Sequence, residues 1–421
     1  MKAVVVGGGV AGPATAMALQ QVGIEAVVLE ARDRAATEAG SYLTIAPNGL
    51  DALAAIGCLD LVRDLGFPSR RNTMLGATGR RLGSITLGTP LADGTPALTM
   101  KRPHLTRALM DEAARRGIEV RYAAKVTSVR TEGQRAVAVL EDGNTVEGDL
   151  LVGASGVHSA VRTAVDPGAP AARYVGLTNF GGITRNTDLA QDLPGDGWQF
   201  TFGRHAFVGL HRTPTDDVVW FVNVPEAQIS RTQRADTSLD QWRARLAGLV
   251  ADDAGPARAL IESGELELAG DNTYDLGHVA TWHRGRLVLV GDAAHAPSPS
   301  SGQGVSLALE DAVVLAGCLA GCLPTAASHG TGVPAAYDSF VAARRGRVEK
   351  VVAVGARSSS SKIPGRIGRV PMEAMLRVVF RHLVTDRAQD WITGYRVSQS
   401  PAGRVVTAAS GAPAPGRPRR P

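Results

Sequence analysis

An apolar run at residues 3–6 leads into glycines at 7, 8, 9 and 12, then an apolar-periodic stretch at 14–23 and a second apolar run at 25–30. Short β-branched runs bounded by glycine suit strands of a parallel sheet, and 3.6-residue spacing suits a helix, so residues 3–30 predict a strand–helix–strand unit. The same grammar returns downstream. It predicts a helix at about 105–116, strands at 119–122, 126–131 and 136–140, a turn at Asp142-Gly143 and a strand at 149–153. Between Tyr174 and Asn223 the pattern changes to strict alternation, as in WQFTFGRHAFVGLHR and VVWFVNVP, which suits an antiparallel sheet with one apolar face. GRLVLV at 285–290 then reads as another buried strand. Apolar positions at Val305, Leu307, Leu309, Val313 and Leu315 place a helix start at Gly304.

The expected fold is therefore α/β. A Rossmann-like domain with a mostly parallel sheet (1–71, 98–170 and 273–356) is interrupted by an antiparallel-sheet domain (72–97 and 171–272). C-terminal helices follow at 357–400. The last stretch, 401–421, is rich in Pro, Ala, Gly and Arg without apolar periodicity and reads as disordered.

Composition narrows the class. A chain of 421 residues, 44% of them hydrophobic, can bury a sizeable core. The formal charge of +5 invites a nucleic-acid reading, but Arg404, Arg417, Arg419 and Arg420 of the tail account for most of it, and no nucleic-acid-binding motif is evident. Three consecutive glycines break the apolar core a secretory signal needs, and no apolar run reaches the length of a membrane span. Cys58, Cys318 and Cys322 have neither redox nor zinc spacing, so a cytoplasmic location is expected.

Gly7-x-Gly9-x-x-Gly12 follows a strand and opens a helix, and Glu30 ends the next strand. Glycines allow the tight turn and close approach of backbone, here including Ala11, to a pyrophosphate that the helix N-terminus stabilises; the carboxylate accepts from ribose hydroxyls. Glu30 argues against a 2′-phosphorylated nucleotide at this place, and Arg32 offsets part of that exclusion. A dinucleotide lying across the sheet would reach Asp292, whose carboxylate suits polyol hydroxyls. Its far end would meet the amides at Gly302, Gly304 and Val305, where a helix dipole stabilises the negative charge of a reduced flavin ring.

Five stretches, GGGVAGPATAMAL…VVLEAR, AGSYLTIAPNGLDALAAIG, KRPHLTRAL, DLLVGASGVHSAVR and GRLVLVGDAAHAPSPSSGQGVSLALEDA, carry a family resemblance. The chain resembles the single-component FAD-dependent aromatic hydroxylases, flavoprotein monooxygenases similar to 4-hydroxybenzoate hydroxylase. The resemblance implies bound FAD in the parallel-sheet domain, transient NADH or NADPH, and O2 captured as a flavin C4a-hydroperoxide that hydroxylates a small aromatic or polycyclic substrate held by the antiparallel domain. It further implies that Arg102 contacts FAD, that Asp292 holds the ribityl chain, that the backbone of Val126 meets the adenine, and that Pro299 with residues 302–305 borders the isoalloxazine.

Two departures stand out: Ser155 replaces the aspartate of the family's Gly-Ala-Asp-Gly, and Ser306 replaces its usual asparagine. His295 is expected to be structural. No Trp-x-Trp-x-Ile-Pro segment supports a halogenase, and a single GxGxxG disfavours two-Rossmann Baeyer–Villiger enzymes. A related reductase or dehydrogenase and a non-enzymatic FAD-binding protein remain alternatives.

Overall fold

The computed structural model describes residues 1–34, 40–298, 301–322, 332–360 and 386–409. A six-stranded sheet runs in the order His283–Arg284, Leu287–Leu289, Leu150–Gly153, Lys2–Val6, Glu25–Leu29, Glu119–Arg121. Its neighbours pair in parallel except at the 283–284 edge. Both faces are covered, which is why Ala3, Val4 and Val5 are fully buried and the strand reads as an unbroken apolar run. The Ala11–Gln21 and Gly304–Ala320 helices pack together over this sheet. A three-stranded antiparallel sheet, Val126–Glu132, Arg135–Leu140 and Thr145–Gly148, adjoins it.

The second large sheet has seven strands in the order Glu265–Asp275, Arg173–Thr184, Val218–Pro225, Phe207–Arg212, Gly197–Phe202, Arg71–Gly76, Arg81–Thr86. All its pairs are antiparallel except 197–202 with 71–76. Successive side chains point to opposite faces. Trp220 therefore joins Phe180, Leu210 and Val222 in a core shared with Trp242, Leu246, Leu260 and Ile261 of the Leu239–Leu249 and Ala257–Ser263 helices. Gly182 leaves room for that indole, since a β-carbon there would come within 2.3 Å of the Trp220 ring. The opposite face carries Trp198, Phe200, Phe207 and Phe221 and looks toward a small sheet of Tyr42–Ile45, Ala97–Lys101 and Phe67–Ser69.

Two expectations need correction. The Arg102–Arg115 helix starts three residues early because Pro103 lies in its first turn, where the missing N–H costs nothing. The tail is not disordered from residue 401: Pro401–Ala409 is a helix with Gly403 and Val406 buried. It lies so close to the Gly304–Ala320 helix that a β-carbon at Gly317 would fall 2.2 Å from the Ala402 carbonyl oxygen. Small residues rather than a broad apolar stripe make this contact, so periodicity did not reveal it. Residues 410–421 lie outside the described residues.

Candidate functional site

The first glycine turn separates into packing and open positions. Gly7 has φ +118°, and a β-carbon there would fall 2.5 Å from the Ala154 carbonyl oxygen; at Gly12 it would fall 1.8 Å from that of Gly7. Those two are required by the fold. Gly9 is different: a β-carbon there would have nothing within 4 Å, so its bareness serves the open space in front of the turn. The Ala11–Gln21 helix begins at that space with no side-chain cap and no acidic residue in its first turn. Its N–H groups and dipole are left to an anion from outside.

Glu30 braces this turn. Its carboxylate accepts from the Gly8 N–H at 2.6 Å and from the Arg32 N–H at 2.9 Å, and keeps further lone pairs for hydroxyl donors. The Arg32 side chain is exposed. Ala124 N–H donates to the Glu30 carbonyl and Ala123 N–H to that of Arg32, which brings the start of the Val126–Glu132 strand beside the turn. Ser155, in place of the expected acid, donates to Ser159 at 2.8 Å.

Across the sheet, Asp292 sits in a short turn, Gly291–Ala293, beyond the Leu287–Leu289 strand. Burial pushes its carboxyl up, Arg102 and His295 pull the other way, and no described group donates a hydrogen bond to it. A half-buried carboxylate with no donor among the described residues calls for hydroxyl donors from a ligand. It faces the second glycine turn, since a β-carbon on Gly304 would be 3.7 Å from Asp292 Oδ1. Gly302, at φ +60°, is open on its own account, with nothing within 4 Å of a β-carbon. The Gly304–Ala320 helix again starts without a side-chain cap or acid, and Val305 is half-buried in its first turn. Pro299 lies outside the described residues.

The strand Tyr42–Ile45 links these turns to the aromatic face. It runs into the Pro47–Ala55 helix, where a β-carbon on Gly49 would fall 2.6 Å from Ser306 Oγ. Trp198 Nε1 donates to Thr44 at 3.0 Å. Ser69 Oγ lies 2.7 Å from both Thr99 Oγ1 and His211 Nε2, and His211 Nδ1 lies 2.7 Å from the Arg212 carbonyl. A carbonyl only accepts, so Nδ1 carries the proton and Ser69 donates to Nε2. Burial lowers His211 to about 4 and keeps it neutral. Phe200, Phe202, Phe221 and Tyr42 are half-buried beside it.

A family model described as FAD binding domain matches residues 1–354. The chain belongs to this family of flavoprotein monooxygenases. It is 31% identical over 319 residues to the FAD-dependent urate hydroxylase of Klebsiella pneumoniae, covering 75% of this chain and 80% of that one. It is 28% identical over 359 residues to the aurachin C monooxygenase/isomerase of Stigmatella aurantiaca, covering 83% and 86%. The structure of HpxO of Klebsiella pneumoniae complexed with FAD and uric acid superposes with a TM-score of 0.75 at 25% identity over 97% of both chains. A salicylate hydroxylase substrate complex shares the fold at a TM-score of 0.73 and 18% identity, covering 96% of this chain and 98% of that one. For a member of this family, the open glycine turns, the two uncapped helix starts and the unpaired Asp292 fit FAD.

Sequence reasoning passed over the buried polar groups behind the turns. Asp311 accepts from the Gly291 N–H at 2.9 Å, from His295 Nε2 at 2.6 Å and from Arg344 at 2.7 Å. Burial pushes its carboxyl up, but His295 and Arg344 outweigh it and hold it at about 2. His295 is thus a tether for the Asp292 turn. The available signal was Glu310-Asp311 inside an otherwise apolar helix, which demands buried partners.

Proposed function

We propose that this enzyme uses NADH or NADPH and O2 to hydroxylate an apolar aromatic or polycyclic small molecule, and that the aromatic face is its substrate wall. The observation that carries this reading is the continuity of that face, through Thr44 of the strand Tyr42–Ile45 and the Pro47–Ala55 helix that follows it, with the start of the Gly304–Ala320 helix, where Gly49 lies against Ser306. When bound, FAD supplies the electron transfer and oxygen activation. Gly7, Gly9, Ala11 and Gly12 would hold the pyrophosphate, Glu30 the ribose, the backbone at Val126 the adenine end and Asp292 the ribityl hydroxyls. Arg102 would add positive charge near Asp292. The amides of Gly302, Gly304 and Val305 would stabilise negative charge on the ring. Trp198, Phe200, Phe207 and Phe221 would stack on the substrate and exclude water.

The face disfavours a polar purine. Two of its polar groups are committed, since His211 is satisfied on both nitrogens and Asn223 donates to Asn179 at 2.9 Å, which leaves the Asn72 side-chain oxygen as the acceptor without a partner on this face among the described residues. Each buried ligand N–H or C=O left without a partner costs about 1–3 kcal/mol, whereas each ring stacked on these side chains gains about 0.5–1.5 kcal/mol. The test is a screen of phenolic, polycyclic and purine compounds, reading substrate-dependent NAD(P)H oxidation and a product mass raised by one oxygen. Turnover of urate in preference to every apolar aromatic compound would overturn the substrate class. Oxidation of NAD(P)H with no oxygenated product from any compound would overturn the hydroxylase reading.

A further inference from the structure

We propose that Asn48 and Arg347 are positioning residues for the turn at 302–304, and that the segment 391–398 holds the turn through them. The inference rests on that turn bordering the flavin ring. Asn48 is fully buried near the start of the Pro47–Ala55 helix and splits its amide hydrogens between two acceptors: Gln303 Oε1 at 3.0 Å and Glu310 Oε1 at 2.7 Å. Gln303 is the middle residue of the turn and sits at the cap position of a helix that has no side-chain cap. Glu310, also fully buried, takes two bonds from Arg347, at 2.8 and 2.9 Å, and pairs with Arg344 at 2.6 Å. Burial opposes its charge, but the two arginines hold the carboxyl below its usual range.

Arg347 carries the connection to the C-terminal segment. It donates to the carbonyls of Trp391 and Ile392, both at 2.7 Å, and lies 4.1 Å over the Tyr395 ring. One turn along from Asn48, Asp51 accepts from the N–H of Ser398 at 2.9 Å and from its hydroxyl at 2.7 Å. The Pro47–Ala55 helix is thus bolted to the C-terminal segment by Asp51 and to the turn by Asn48. The Val333–Ser360 helix also lies against the residue just before the turn: a β-carbon on Gly355 would fall 2.9 Å from Ser301 Cβ. Apolar side chains would fill this volume as stably as buried charges. A chain of directional bonds, Arg347 to Glu310 and Asn48 to both Glu310 and Gln303, instead fixes where Gln303, and with it the amides on either side, points.

The test uses full-length protein with FAD as the probe. The readouts are FAD Kd by titration of the apoprotein, the absorption spectrum and midpoint potential of bound flavin, and the apoprotein melting temperature. Asn48→Ala and Gln303→Met should each raise Kd about tenfold, the effect of one buried acceptor or donor left unmatched. Each should also shift the spectrum and potential, and the double variant should show no more than the larger single effect. Arg347→Met should shift the same readouts, while Arg345→Met on the same helix should leave them at wild-type values. Wild-type Kd, spectrum and potential in Asn48→Ala, or full additivity with Gln303→Met, would overturn the proposal. Should Arg347→Met fail to fold, the other pair still decides. A flavin spectrum that stays at wild type in both Gln303→Met and Gly302→Val would instead refute the placement of the ring.

Discussion

Gly9 and Gly12 differ in what a side chain would strike, and that difference separates fold from site. A side chain at Gly12 meets backbone of its own turn, whereas one at Gly9 enters open space. Gly9→Leu should therefore leave the apoprotein melting temperature near wild type and raise FAD Kd at least tenfold, about 1.4 kcal/mol; unchanged affinity would remove the phosphate assignment. Asp292 makes the opposite trade. Its carboxyl is raised by burial, so the charged form costs stability that falling pH restores. Asp292→Asn should weaken FAD binding and make the apoprotein more stable at neutral pH, and calorimetry with FAD titration reads both. His211 titrates at 6.5 when unfolded and about 4 when folded. Its contribution is intact above 6.5 and is lost as pH falls toward 4, up to about 3 kcal/mol. Urea unfolding between pH 7.5 and 4.5 should show a shallower pH dependence in His211→Asn. The glycines and Asp292 were legible in the sequence because turn chemistry is local. The commitment of the Glu30 carboxylate to Gly8 and Arg32 was not, since it depends on the loop's path.

Strands and helices were legible as patterns, and their faces were not. Alternation at 197–225 places Trp220 and Phe221 on opposite sides, but nothing local says which side meets helices. That choice is made by the helices Leu239–Leu249 and Ala257–Ser263, which cover Trp220, and by Gly182, which admits its ring. Phe221 is left on the other face, lying across Gly209, where a β-carbon would be 2.2 Å from its ring. The strand therefore presents Phe221 as one fixed plate rather than a mobile side chain. Once a substrate is identified, Phe221→Ala should raise KM by about two- to tenfold, the range expected for one aromatic contact, with FAD content unchanged. Parallel loss of FAD would mean that this strand supports the cofactor and does not form the substrate wall.

At the scale of the molecule, contacts between residues more than 250 apart decide how the second glycine turn is held. Asn48 and Gln303, or Asp51 and Ser398, share no spacing that a reader of the sequence could use; only the parallel sheet and its crossover helices bring them together. The Pro401–Ala409 helix belongs to this closure, because it packs on the same Gly304–Ala320 helix that carries Glu310 and Asp311. Val406 is fully buried there, and burying one valine contributes about 1.5–3 kcal/mol. Removing residues 401–421 should lower the apoprotein melting temperature by several degrees and weaken FAD binding, since the helix bearing both carboxylates loses one of its supports. Removing only the residues after Gly411 should do neither, because the Pro-, Gly- and Arg-rich remainder has little apolar surface to bury. Melting curves of the two truncations with and without FAD distinguish the outcomes. Equal behaviour of the two would mean that the contact at Gly317 contributes nothing to the cofactor side of the molecule.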